Sequence, residues 1–132
     1  VDPHLQTPAG KPRARSLVEG FPGTPGRWNA ITDVPGVEVG YATLIEGTDV
    51  RTGVTAVCPR GRDGSDDPCA AACVSLNGNG EMTGVSWIAE SGTLALPVTI
   101  THTHAVGVAH EAVARWSAGH YPALRELWML PV

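Results

Sequence analysis

The chain has 132 residues, a length that suits one domain at most. It is 42% hydrophobic and 17% charged, ordinary for soluble globular chains, with a net charge of −4 and a pI near 5.6. That balance argues against nucleic acid, which selects basic patches, and no run of 18 apolar residues is present to span a membrane.

Residues 1–27 are rich in Pro, Gly and basic residues, show little periodicity, and read as an extended arm. Lys11, Arg13 and Arg15 form a basic cluster in it. The reading is a solvated arm that docks on its own or a neighbouring subunit, in preference to a phosphate contact. The segment NAITDVPGVEVGYATLIEG (29–47) sets Ile31, Val34, Val37, Val39, Tyr41 and Leu44 among polar residues, with a tight turn at Pro35-Gly36. It predicts a hairpin. TGVTAVCP (52–59) predicts a further strand, and RGRDGSDDP (60–68) a polar loop with turn residues and little else.

CAAACVSL (69–76) is a run of small apolar residues and predicts a buried strand. Cys69 and Cys73, with Cys58, make an odd set of three, not a complete disulfide framework. On a strand, Cys69 and Cys73 would stand roughly 13 Å apart, too far for a bridge. Their spacing also misses the paired pattern of zinc sites. They read as small buried thiols.

The stretch SLNGNGEMTGVSW (75–87) is unusual: two Asn-Gly pairs, a carboxylate and a third glycine follow one another. Gly78, Gly80 and Gly84 invite comparison with a dinucleotide loop, which needs a strand before it and a helix opening directly after. Gly84, Val85 and Ser86 are poor helix formers, so nucleotide binding is disfavoured. As a pocket loop, Asn-Gly brings backbone close to a ligand. Glu81 is then placed to hold an ammonium group and Met82 to line an apolar wall. The plainer alternative is a hairpin or wide loop that uses Asn-Gly as turn residues.

TLALPVTITHTH (93–104) predicts a strand, with β-branched Val98, Thr99, Ile100 and Thr101. His102 and His104 would alternate on one strand face, a pattern found in metal-dependent hydrolases. Such a site needs more ligands, and only His110 and His120 are near in sequence. In AVGVAHEAVARW (105–116) the period changes: Val106, Ala109, Val113 and Trp116 recur at three- and four-residue steps and predict a helix with one apolar face. SAGHYPALRELW (117–128) predicts a loop and a short helical turn. The chain stops at the strand-like LWMLPV (127–132), which reads as a core element of a larger folded unit. The residues alone supply no G-x-S-x-G elbow and no serine with a recognisable base. They give an α+β or layered α/β unit.

Six strings in register, PRAR (12–15), NAITDVPGVEVG (29–40), RTGVTAV (51–57), NGNGEMTG (77–84), PVTITHTHAVGVAHEAV (97–113) and LWMLPV (127–132), resemble the N-terminal part of the DmpA/BapA-type family. These are the L-aminopeptidase/D-Ala-esterase/amidases and the β-aminopeptidases. The resemblance implies part of a four-layer αββα sandwich similar to N-terminal-nucleophile hydrolases but differently connected. It implies a precursor that cuts itself into an α and a β chain, the β chain opening with the nucleophilic serine. It also implies substrates with a free N-terminal amine, no metal or other cofactor, and a homotetramer of α/β pairs. On this reading residues 28–132 are the N-terminal portion of the αββα domain. The catalytic serine lies on the β chain, and this chain alone is expected to be inactive. Its expected contribution is pocket wall: Trp128, Asn77, Asn79, Glu81 and Met82. One departure concerns THTH (101–104), where the family pattern reads T-N-T-H, so that His102 replaces an asparagine. The eleven residues ahead of PRAR fit a mature end left after signal-peptide removal, which favours a periplasmic or secreted location, although some relatives are cytoplasmic. The other readings are a non-catalytic binding or structural module of the same fold, and a metal-dependent hydrolase using His102 and His104.

Overall fold

The computed structural model describes residues 2–125 and 131–132, which fall into two units, residues 1–37 and residues 38–132. In the first unit Arg13 and Arg15 bind backbone carbonyls. The chain turns at Asp2–Gln6 and again at Thr7–Lys11, forming an antiparallel bridge between Gln6 and Pro12. Helix α1 (Ala14–Leu17) is a single turn. Arg13 donates to the carbonyl of Asn29 at 2.7 Å, and Arg15 donates to those of Phe21 at 3.1 Å and Pro22 at 3.3 Å. The Arg15 guanidinium also lies 5.1 Å from the centre of the Phe21 ring. Asp33 accepts from the amides of Ala30 at 3.0 Å and Trp28 at 2.9 Å, and those bonds hold its carboxyl below the usual aspartate range. Gly26 is required beside it, because a Cβ there would fall 2.6 Å from the Asp33 carboxylate.

The second unit is mixed α+β. Strands β1 (Glu38–Glu46) and β2 (Val50–Cys58) form a hairpin, and β5 (Val98–Thr101) pairs antiparallel with the other edge of β2. The order is β1-β2-β5. A second, two-stranded piece joins β3 (Cys69–Ala70) to β4 (Thr93–Leu94). Helix α2 (Val85–Ser91) precedes β4, and helix α3 (Val106–His120) follows β5.

Directly paired residues share a face of the sheet. Gly40, Ala42 and Leu44 of β1 lie with Ala56, Val54 and Thr52 of β2, and with Thr99 and Thr101 of β5. This is the face towards α3: Ala112, Val113 and Trp116 line a cavity there with Val54, Ala56 and Cys58. The other face carries Tyr41, Ile45, Thr55 and Ile100, of which Tyr41 is 80% exposed and Ile45 and Ile100 are each 62% exposed. Within the sheet, the residue that must be small is Gly53, where a Cβ would sit 2.3 Å from the carbonyl oxygen of Ala42 on β1.

The loop 59–68 is more than polar turn residues. Ser65 is buried, and its hydroxyl donates to the Gly61 carbonyl at 2.7 Å. Its amide donates to the Tyr121 hydroxyl at 3.1 Å, and its carbonyl accepts from Leu96 at 2.6 Å. Tyr121 in turn donates to the carbonyl of Arg62. Leu96 is buried with a left-handed φ of 70°, a strained backbone held by that bond and by its burial. At the far edge of the sheet, Val132 accepts from the amide of Thr99 at 2.8 Å, and Pro131 accepts from the hydroxyl of Thr83 at 2.7 Å.

Several elements differ from the sequence reading. Pro35-Gly36 leads into β1, and the hairpin itself turns at Gly47–Asp49. CAAACVSL is a strand only at Cys69–Ala70; Val74 and Leu76 are 90% and 95% exposed. A helix does open after the Asn-Gly loop, with Gly84 left-handed at its start and Gly92 left-handed at its end, where glycine stops a helix without strain. TLALPVTITHTH divides into β4 and β5 at Leu96 and the buried Pro97. Helix α3 runs on to His120, where the sequence predicts a loop.

Replacing Gly53 with alanine is expected to cost about 1–3 kcal/mol by forcing β1 away from β2, read from urea denaturation midpoints. A second expectation concerns Glu38, whose carboxylate accepts from the Arg62 side chain at 2.9 Å and the Arg62 amide at 3.1 Å. These bonds hold the Glu38 carboxyl below the usual glutamate range. Its contribution to stability is therefore present above the ordinary value, about 4.3, and is lost as the pH falls through the lowered one. The variant Glu38→Gln should be slightly less stable than the parent at pH 7 and converge with it as the pH falls towards 3, as thermal melts between pH 3 and 7 would register.

Candidate functional site

The carboxyl half of the Asn-Gly loop and the open edge of β5 enclose a cavity of about 330 Å³. Glu81, Met82 and Thr83 form one wall. Val98 to Thr101 form the second, and Val106, Ala109 and His110 of α3 the third, with Val132 between them. The helical residues reach the cavity together because positions three and four apart share a helix face. Thr83 and Thr99 fix the walls to Pro131 and Val132 through the bonds described above.

Glu81 and His110 are the ionisable groups of the lining. The three threonine hydroxyls are engaged: Thr83 with Pro131, Thr99 with Val132 at 3.4 Å, and Thr101 with the Gly53 carbonyl at 2.9 Å. The lining therefore offers a carboxylate, an imidazole and apolar surface, a chemistry suited to holding an amine next to a hydrocarbon group. It offers no free hydroxyl or thiol as a nucleophile.

Of the residues singled out in the sequence, Glu81 and Met82 come together at this cavity. The Met82 sulfur also approaches Cys73 Sγ at 3.6 Å, which leans the exposed stretch 73–76 on the loop. Asn77 and Asn79 lie outside the lining. The Asn77 side-chain oxygen accepts from the Asn79 amide at 3.0 Å, and Ser75 donates to the Asn77 carbonyl at 2.8 Å, so Asn77 shapes a local turn. Trp128 lies outside the described residues. His110 enters the site without having been assigned to a pocket in the sequence reading; its place beside Val106 on the inward helix face is the signal that points to it.

His102 and His104 do not alternate on a strand. β5 ends at Thr101, His102 precedes a 3-10 turn at Thr103–Ala105, and the two rings stand 6.1 Å apart at 89°. Among the described residues, no three His, Cys, Asp or Glu side chains converge in a way that could hold a metal ion.

Residues 29–132 match peptidase family S58. The chain is 48% identical to β-peptidyl aminopeptidase BapA of Sphingosinicella microcystinivorans, with 92% of this chain and 32% of that protein covered. Among solved structures it is similar to the L-aminopeptidase D-Ala-esterase/amidase of Ochrobactrum anthropi, a serine aminopeptidase described as a variant of the Ntn hydrolase fold. That similarity has a TM-score of 0.82 at 43% identity and covers 92% of this chain and 36% of the other. It is also similar to a β-aminopeptidase of a Burkholderia species, with a TM-score of 0.70, 46% identity, and 78% and 30% of the two chains covered. The chain thus spans about a third of the length of the relatives it matches. Built on that shared α+β framework from Asn29 to Val132, the chain belongs to peptidase family S58.

Proposed function

We propose that this chain supplies the N-terminal α-chain portion of a self-processing serine aminopeptidase. The observation that carries the reading is the 48% identity to a β-peptidyl aminopeptidase over nearly the whole chain. The enzyme would release N-terminal amino acids, of L-, D- or β-type, from peptides, amides or esters. The nucleophile is a serine at the start of a β chain, and its own α-amine, titrating near 7.7–8.0, serves as base. The partners are that β chain and the rest of the α chain, assembled as a homotetramer of α/β pairs.

The bare apolar face of the sheet supports a four-layer αββα arrangement. Helix α3 is the outer layer on one face, and Tyr41, Ile45 and Ile100 await a second sheet on the other. On this reading residues 28–132 are the first part of that domain and residues 1–27 its arm. The pocket wall contributed here is the cavity by β5. Glu81 receives the substrate ammonium and Met82 the neighbouring hydrocarbon, and Asn77 and Asn79 shape the loop that presents them.

The test is intact-mass analysis with N-terminal sequencing of the purified full-length product. Two chains are expected, the second opening with serine, together with hydrolysis of amino-acid p-nitroanilides that a serine-directed acylating reagent abolishes. One uncleaved, inactive chain would overturn the reading. Within the active enzyme, Glu81→Gln should raise KM for amine-bearing substrates roughly ten-fold while self-cleavage continues. An unchanged KM would remove Glu81 from the pocket.

A further inference from the structure

Asparagine followed by glycine is a chemically labile pair as well as a turn former. The backbone nitrogen of the next residue can attack the side-chain carbonyl carbon. Glycine, without a Cβ, leaves that approach unobstructed and the backbone free to reach the angles it needs. The chain has three asparagines, Asn29, Asn77 and Asn79, and the last two precede glycine. Their surroundings separate all three.

The Asn29 side chain donates to the His4 carbonyl at 3.4 Å, and the Ala30 amide, which would be the attacking nitrogen, donates to the Asp33 carboxylate at 3.0 Å. Asn77 is held by its side-chain oxygen, which accepts from the Asn79 amide at 3.0 Å, so turning its carbonyl carbon onto the Gly78 nitrogen costs that bond. Asn79 has neither restraint. Among the described residues, no hydrogen bond engages its side chain or the Gly80 amide. Residues 72–80 are exposed, and a Cβ placed on Gly80 would meet nothing within 4 Å, so water has free access to this pair.

We infer that Asn79 is a site of spontaneous deamidation, which converts the protein in water to a form with aspartate or isoaspartate in the loop that carries Glu81. The Gly80 nitrogen forms a bond to the Asn79 side-chain carbonyl carbon. The bond from that carbon to the side-chain nitrogen breaks, and ammonia leaves with the proton of the Gly80 amide. The cyclic imide that remains adds a water molecule at either carbonyl. Opening one way gives aspartate; opening the other gives isoaspartate, whose main chain runs through the former side chain and is one carbon longer. A negative charge, and in the isoaspartyl form an extra main-chain carbon, then stands two residues ahead of Glu81. The modification is independent of the aminopeptidase reading; its effect on the pocket rests on that reading.

The test holds the full-length protein at mildly alkaline pH and body temperature, with peptide mapping that resolves positions 77 and 79. Acid forms should accumulate at 79 about five-fold faster than at 77, the ratio that one hydrogen bond supports, and the two rates should converge in urea. Gly80→Ala should slow conversion at 79 about ten-fold, and Asn79→Gln should abolish it there. The isoaspartyl fraction, separated by ion exchange, should show a KM for amine-bearing substrates raised towards that of Glu81→Gln. Equal rates at the two positions in the folded protein, faster conversion at 77, or none at either would overturn the site. Conversion with an unchanged KM would overturn its effect on the pocket. A protein that converts at 79 but is inactive before ageing would support the site and count against the aminopeptidase reading, and with it against the effect on the pocket.

Discussion

Strand β2 is hydrogen-bonded on both edges, and the rest of the second unit depends on its register. Side chains alternate across a strand, so a slip of one residue would exchange its two faces. In the observed register the small residues Val54, Ala56 and Cys58 lie under α3, while Thr55 lies between Tyr41 and Ile100 on the opposite face. The close approach of Gly53 to Ala42 narrows the choice further, because the position opposite Thr43 has no room for a side chain. The same register aligns the carboxyl end of β5 with the middle of β1, which is how His102 and Tyr41 come to line one depression.

The loop around Ser65 fixes the other end of the layer. A buried serine with unpaired polar groups would cost stability, and here its hydroxyl, amide and carbonyl all have partners. Those partners come from its own loop, from Tyr121 just after α3 and from Leu96, two residues before β5. Through its backbone amide and carbonyl, one residue thus ties the approach to the strand to the end of the helix. Trp116, His120 and Tyr121 stack around the same junction, with Trp116 and His120 nearly parallel at 5.0 Å and Tyr121 edge-on to both.

Elements with a clear period were legible in the sequence. Val106, Ala109, Val113 and Trp116 do face inward, and β2 occupies the run read as a strand. The misreadings share a cause: local signals that say where a turn is possible do not say which turn closes a hairpin. Pro35-Gly36 is a stronger turn signal than Gly47-Thr48-Asp49, yet the pairing of Glu46 with Val50 belongs to the latter. CAAACVSL failed because a run without alternation does not report a buried face. The Asn-Gly loop was recognisable as unusual, but composition could not separate Glu81 and Met82, which line the cavity, from Asn77, which bonds to its own loop.

The two irregular segments of the second unit look interchangeable in sequence, since both are short and rich in turn residues. Their hydrogen bonding makes them opposites. Residues 60–68 are anchored through the buried Ser65, so a protease or a grafted peptide entering there would have to break the junction with α3. Residues 74–80 are exposed throughout and carry mainly contacts within their own turn. Among the described residues, cutting or extending the second segment would break mainly bonds of its own turn, so the effect would fall on how Glu81 and Met82 are presented and not on the junction with α3.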